Sequence, residues 1–184
     1  MRTFIAVPLP AQCTRTLAEM QGALRRFGAD VRWTAVPSIH LTLKFLGEID
    51  PAVLPGLSGA LRALPVPEPF TLRLEGMGAF PNLQRPRVIW CGIEGDRQAL
   101  SLLQQGVEKA CIQAGFEREG RPFQPHLTLG RVQGRRNLQA LLDYIRIGPS
   151  PGCDFVVDHY RIYRSTLTPQ GAIYDVLESI QLRS

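Results

Sequence analysis

The sequence predicts one mixed α and β unit of 184 residues, built of two similar lobes, on three observations. Segments of strand periodicity alternate along the chain with segments of helix periodicity. The tetrapeptide His-Leu-Thr-Leu occurs twice, beginning at His40 and at His126, 86 positions apart. Sliding the chain over itself by that spacing brings whole elements into register, as an internal repeat requires.

The first strand is expected over residues 3–7, closed by Pro8 and Pro10. Cys13, Leu17, Met20, Leu24 and Phe27 then recur at spacings of four and three, the stripe of an amphipathic helix that Gly28 stops. A connector holding Val31, Arg32 and Trp33 leads to a strand over 39–46. There Ile39, Leu41, Leu43 and Phe45 alternate with His40, Thr42 and Lys44, which puts the polar residues on one face. A second helix begins at Asp50-Pro51 or at Pro55, buries Leu54, Leu57, Leu61 and Leu64, and ends at Pro65, Pro67 and Pro69. Strands over 70–74 and 87–93 follow, joined by a loop rich in Gly, Pro and Arg. Asp96 caps a third helix carrying Leu100, Leu103, Val107, Ala110 and Ala114, and Gly115 stops it. After the second His-Leu-Thr-Leu strand, Leu138, Leu141, Leu142 and Ile145 mark a fourth helix, broken by Pro149-Ser150-Pro151-Gly152. The end reads as a hairpin of 155–166 and 173–182 about a turn at Pro169-Gln170-Gly171.

In the overlay, Phe4-Ile5-Ala6-Val7 falls on Trp90-Cys91-Gly92-Ile93, and the helix ending at Gly28 falls on the one ending at Gly115. The second helix falls near the fourth, and strand 70–74 falls on 156–160. Strand, helix, His strand, helix, strand thus occurs twice, with one strand more at the end. The reading is a single domain over 1–184 with an internal duplication, one repeat over about 1–84 and the other over 85–184.

A hydrophobic content of 45% with 20% charged residues fits a globular protein and excludes a disordered one. No apolar run approaches the ~20 residues of a membrane span, and the first residues lack a signal peptide's apolar stretch, so a cytoplasmic, monomeric protein is expected. Cys13, Cys91, Cys111 and Cys153 form no Cys-x-x-Cys pair and have no His at zinc-ligand spacing. Four free, mostly buried thiols are expected. The net charge of +5 and pI near 9.4 suit an anionic partner such as RNA or a nucleotide.

On a strand, residues two apart point the same way, so each tetrapeptide offers an imidazole beside a hydroxyl on an anchor of leucines. Two lobes facing across a groove set His40 and His126 on opposite sides of one site, flanked by Thr42 and Thr128. That suits in-line displacement at phosphorus, which needs a base for the attacking oxygen and an acid for the leaving one. Histidine, with an ordinary pKa of about 6.5, serves in either role near neutral pH. The hydroxyls donate to the non-bridging oxygens as charge builds there, and neither a metal nor another cofactor is required. Arg131, just past the second motif, is placed to grip the same phosphate. Arg118, Arg121, Arg135 and Arg136 extend a basic run along which an RNA backbone can lie, and Trp33 is a candidate base-stacking or core residue. His159, in Asp158-His159-Tyr160, lacks the Thr partner and is expected on a strand surface.

The paired motifs, with Arg32-Trp33, Leu43-Lys44-Phe45-Leu46-Gly47, Gly78-Ala79-Phe80-Pro81, Arg85-Pro86-Arg87-Val88, Arg121-Pro122-Phe123-Gln124-Pro125-His126, Tyr163-Arg164-Ser165 and Thr168-Pro169, resemble the two-histidine phosphoesterase superfamily. Within it they are most similar to the RNA 2',3'-cyclic phosphodiesterases, also named 2'-5' RNA ligases. The resemblance covers essentially the whole chain. It implies an α+β fold of two pseudo-symmetric lobes, with antiparallel sheets lining a central groove and helices packed outside. It also implies hydrolysis of a 2',3'-cyclic phosphate on RNA ends or nucleotides to a 2'-phosphate, with His40 protonating the leaving oxygen and His126 activating water. Thr42, Thr128 and Arg131 carry over as phosphate ligands. The alternatives are the reverse reaction, 2'-5' RNA ligation, and an RNA-end binding protein without turnover.

Overall fold

The computed structural model describes residues 1–65, 67–148 and 152–183. In chain order the elements are β1 (Arg2–Val7), α1 (Ala11–Arg25), β2 (Val31–Trp33), β3 (Leu41–Glu48), α2 (Leu54–Arg62), β4 (Phe70–Phe80) and β5 (Val88–Gly95). They continue with α3 (Arg97–Gln113), β6 (His126–Val132), α4 (Leu138–Ile147), β7 (Cys153–Val157), β8 (His159–Thr168) and β9 (Gly171–Gln181).

The helix signals hold physically. Cys13, Leu17, Met20 and Leu24 form the buried side of α1, and Gly28, at φ +62°, takes the left-handed turn after it. The Asp96 carboxylate accepts from Ala99 N–H at 2.9 Å and caps α3. Asp50 caps a short 3-10 turn, Pro51–Val53, ahead of α2. Pro149, Ser150 and Pro151 lie outside the described residues.

The strands form two antiparallel sheets, ordered β3-β1-β8-β9 and β2-β6-β5-β4-β7. The two follow one plan: a motif strand pairs with the strand that precedes it in its half, then with two strands more, and β2 extends the second sheet beyond β6. One core cluster joins them, with Ile5, Val7 and Leu41 from the first sheet, Leu72, Ile89, Cys91 and Leu127 from the second, and the apolar stripes of the helices outside. Period-two alternation sends Phe4 and Ala6 to the opposite face of β1, where with Tyr163 they form a second, small cluster. That opposite face lines the groove.

Four details depart from the sequence reading. Residues 31–33 are a strand, not a connector, pairing Arg32 with Arg131. β4 runs on from Leu74 to Phe80 through an irregularity between Leu74 and Met77, where Glu75 and Gly76 interrupt the alternation. The segment read as one strand over 155–166 is split at Asp158 into β7 and β8, which join different sheets. Lys44 and Phe45 also exchange the faces that alternation assigns them: Lys44 is 6% exposed and Phe45 67% exposed.

Candidate active site

The exchange at Lys44 has a local cause that occurs in both motifs. Opposite β1, Ile5 faces Lys44 and Ala6 faces Thr42, so Leu43 is an extra residue in β3. Opposite β5, Ile89 faces Gly130 and Trp90 faces Thr128, so Leu129 is an extra residue in β6. Each is a β-bulge, which re-aims the side chains beyond it. In β3 the bulge turns Lys44 into the core side, where its Nζ donates to Glu108 Oε1 and to the Glu117 carbonyl, both at 2.9 Å. Glu108 Oε1 also accepts from Glu119 N–H at 2.7 Å, so this buried pair fixes the loop that leads to β6. In β6 the bulge brings Arg131, opposite Val88, onto the face that carries Thr128 and Trp90. Unbroken alternation would have pointed it the other way.

The bulge carbonyls are held from the helices. Gln21, 3% exposed on α1, donates its Nε2 to Leu129 O at 2.8 Å and to Thr34 O at 2.7 Å, and Thr34 N–H also reaches Leu129 O. On the other side Gln104 of α3 reaches Leu43 O at 3.5 Å. Gln21 therefore ties the second motif strand to the connector that leads into the first. Gln21→Leu keeps the volume and removes the donors, leaving buried carbonyls short of a partner. We expect a loss of about 1–3 kcal/mol in stability, measured by denaturant unfolding, with kcat lowered more than KM.

Thr42, opposite Ala6, and Thr128, opposite Trp90, are both half-buried on the groove face. His40 lies one residue ahead of β3. Its ring stacks on Phe4, with centroids 4.8 Å apart, and lies nearly parallel to Tyr163 at 5.4 Å, while Tyr174 meets it edge-on at 5.0 Å. Burial among these rings lowers the pKa of His40 from 6.5 to about 4. His126 opens β6, and its Nδ1 lies 2.6 Å from the Gln124 carbonyl. A carbonyl only accepts, so Nδ1 carries the proton, and in the neutral ring Nε2 keeps its lone pair. Phe80 packs edge-on against this ring at 4.9 Å. The two motif strands belong to different sheets yet meet, with Cα atoms within 8 Å.

Arg131 is exposed on β6. Burial raises the pKa of the Tyr174 phenol, while the charges of Arg2 and Arg131 act to lower it. Arg118, Arg121, Arg135 and Arg136 are exposed, and Arg121 pairs with Glu119 at 3.2 Å. Trp33 packs partly buried against the core, with Arg25 5.8 Å over its ring. His159 is half-buried on β8, and its Nδ1 lies 2.6 Å from Asp158 Oδ1.

The sequence reading missed Gln21 and the rings about the histidines, Phe4, Tyr163 and Tyr174 around His40 and Phe80 against His126. Gln21 did leave a signal, as a polar residue on the apolar stripe of α1, four positions from Leu17 and three from Leu24. The rings left no periodic signal, because they come from β1, β4, β8 and β9, although Phe80 and Tyr163 stand in segments that carry the family resemblance. Among the described residues no group of three or more His, Cys, Asp or Glu is placed to hold a metal ion. Among the same residues no helix is long and apolar enough to cross a membrane.

Comparison with known proteins adds to this geometry. The model of the LigT-like phosphoesterase family matches the chain over residues 7–90 and again over 93–174. The chain is 34% identical over 169 residues to the RNA 2',3'-cyclic phosphodiesterase of Aeropyrum pernix, covering 91% of this chain and 96% of that protein. It is 35% identical over 197 residues to the enzyme of the same name from Thermus thermophilus, covering 100% of this chain and 91% of that protein. Among solved structures, Thermus thermophilus TT0787 superposes with a TM-score of 0.80 at 30% identity, covering 100% of this chain and 98% of that one. E. coli LigT complexed with 3'-AMP superposes with a TM-score of 0.80 at 25% identity and the same coverage.

Proposed function

Because the chain belongs to the LigT-like phosphoesterase family, we propose that it hydrolyses 2',3'-cyclic phosphates on RNA or nucleotides to 2'-phosphates, with His40 and His126 as acid and base and without a metal ion. The observation that supports this reading is that the two motif strands, from different sheets, come within 8 Å between Cα atoms, with Thr42 on one, His126 and Thr128 on the other, and His40 one residue ahead of the first.

The residues divide the chemistry as follows. Water attacks phosphorus and gives its proton to His126 Nε2, the nitrogen left free by the hydrogen bond from Nδ1 to Gln124 O. The bond from phosphorus to the 3' oxygen breaks, and His40 protonates that oxygen. Among its surrounding rings His40 is neutral at pH 7, since burial holds its pKa near 4. An anionic phosphate beside the ring favours the imidazolium, so substrate itself loads the acid with its proton. Thr42 and Thr128 donate to the non-bridging oxygens, and Arg131 supplies a positive charge on the same face. The assignment of acid to the first motif and base to the second follows the family resemblance, and the Gln124 contact supports it. The histidines and threonines need no ion to complete this scheme.

The same reading takes the chain as a duplicated unit. It is supported by the family model matching each half separately, by the shared strand plan of the two sheets and by a bulge at the last leucine of each motif.

The test is incubation with an RNA ending in a 2',3'-cyclic phosphate, and with a cyclic mononucleotide, in excess EDTA, with the product isomer identified by phosphorus NMR. Formation of the 2'-phosphate at an undiminished rate is expected. Absence of turnover on both substrates, with and without divalent ions, would overturn the proposal.

A further inference from the structure

We propose that Cys13 and Cys153 form a reversible disulfide that clasps α1 to β7. Their Sγ atoms lie 2.9 Å apart, although the residues are 140 positions apart in the chain. A sulfur–sulfur bond is about 2.0 Å long, so only a small approach is needed. The backbones are already docked: Cα atoms of α1 and β7 come within 8 Å, and Gln12 Nε2 donates to Asp154 O at 2.9 Å. Apart from its partner sulfur, the Cys153 thiol reaches the Asp154 carbonyl at 3.8 Å, and among the described residues no group of metal-ligating side chains surrounds the pair. Cys91 lies nearby on β5, but its thiol is directed at Gly92 O, 3.5 Å away. Spacing along the chain gave no hint of the pair, because each cysteine stands alone in sequence.

The two sulfurs differ in access. Cys13 is fully buried, and burial with the neighbouring Cys153 raises its pKa well above the ordinary thiol value. Cys153 is half-buried at the start of β7, an edge strand of the second sheet, and is the more exposed residue of the two. With a small-molecule disulfide as oxidant, the Cys153 thiolate attacks one of its sulfurs, expelling one small thiolate and leaving a mixed disulfide. The Cys13 sulfur, losing its proton to solvent, then attacks the Cys153 sulfur and expels the second small thiolate. Two protein thiols are oxidised and one small disulfide is reduced to two thiols. A buried thiol of high pKa attacks slowly and also leaves slowly, so the bridge forms slowly and then resists reduction. Once formed, it joins the first helix to an edge strand of the sheet that carries His126, and it removes freedom from the unfolded chain across most of its length.

The experiment is exposure of the full-length protein to oxidised glutathione, followed by intact mass, a non-reducing peptide map and thermal unfolding. Expected are the loss of two hydrogen atoms, a single cross-link between the Cys13 and Cys153 peptides, and a rise in Tm on the order of 10 °C. Cys153→Ser, at a half-buried site, should abolish the mass change and the rise, while Cys111→Ala should keep the cross-link. A lasting glutathione adduct on Cys153 with Cys13 still reduced, a cross-link through Cys91, or a Tm rise that persists in Cys153→Ser would each overturn the proposal.

Discussion

Replacing His126 by Ala is expected to lower kcat/KM for a 2',3'-cyclic phosphate by about 10²- to 10⁴-fold while leaving the fold intact. The ring opens β6 at a half-buried position, and its hydrogen bond is to the carbonyl of Gln124 two residues away, so its removal disturbs little beyond the reaction. His40→Ala should cost a similar factor in turnover. It also removes a ring from the stack with Phe4 and Tyr163, so its unfolding curve should be recorded beside its kinetics. His159→Ala serves as the control. That residue is held by Asp158 and is given no role in the reaction, and its loss should cost far less than either of the others. Comparable losses from all three would contradict the assignment.

Stability should depend on pH through His40. Its folded pKa is about 4, below the ordinary 6.5, because the aromatic surroundings disfavour the imidazolium. The unfolded chain therefore binds this proton more readily than the folded one. The contribution to stability is complete above pH 6.5 and is lost progressively as the pH falls through the window down to about 4. Its full size is about 3 kcal/mol. Thermal melts of the native protein and of His40→Gln from pH 4 to pH 7 provide the check. Carboxylates act on both proteins alike, so the readout is the difference between the two curves. The native protein should lose on the order of 10 °C more than the variant over that window. Equal pH dependence would show that His40 titrates normally in the folded state.

The helices, most of the strands and the likeness of the two motif strands were legible because each rests on a local period or on an exact repeat. Leu17 and Leu24 reveal the buried side of α1 whatever lies opposite it, and Asp96 caps α3 through atoms three residues away. What failed was set by pairing partners. The extra residue at Leu43 is defined only against β1, so alternation alone put Phe45 in the core and Lys44 on the groove face. The same device at Leu129 placed Arg131 beside Thr128, a position that strand periodicity would have denied it. Residues 31–33 form a strand only because Gly130 lets them lie against β6: a Cβ there would sit 2.7 Å from Val31 Cγ1 and 2.9 Å from Trp33 Cε3. The aromatic setting of His40 is likewise a product of topology, since β1 brings Phe4 between the first motif and the strands from the end of the chain.

The central claim is that the two tetrapeptides are two halves of one reaction site. Its most direct test is the set of His40→Ala, His126→Ala and the double variant, each assayed for kcat/KM on one 2',3'-cyclic phosphate. If both imidazoles serve a single displacement, the double variant should be about as slow as the slower single variant, as residues that act as a unit are strongly non-additive. A double variant slower by the product of the two single losses would mean that the histidines act independently, and it would contradict the account.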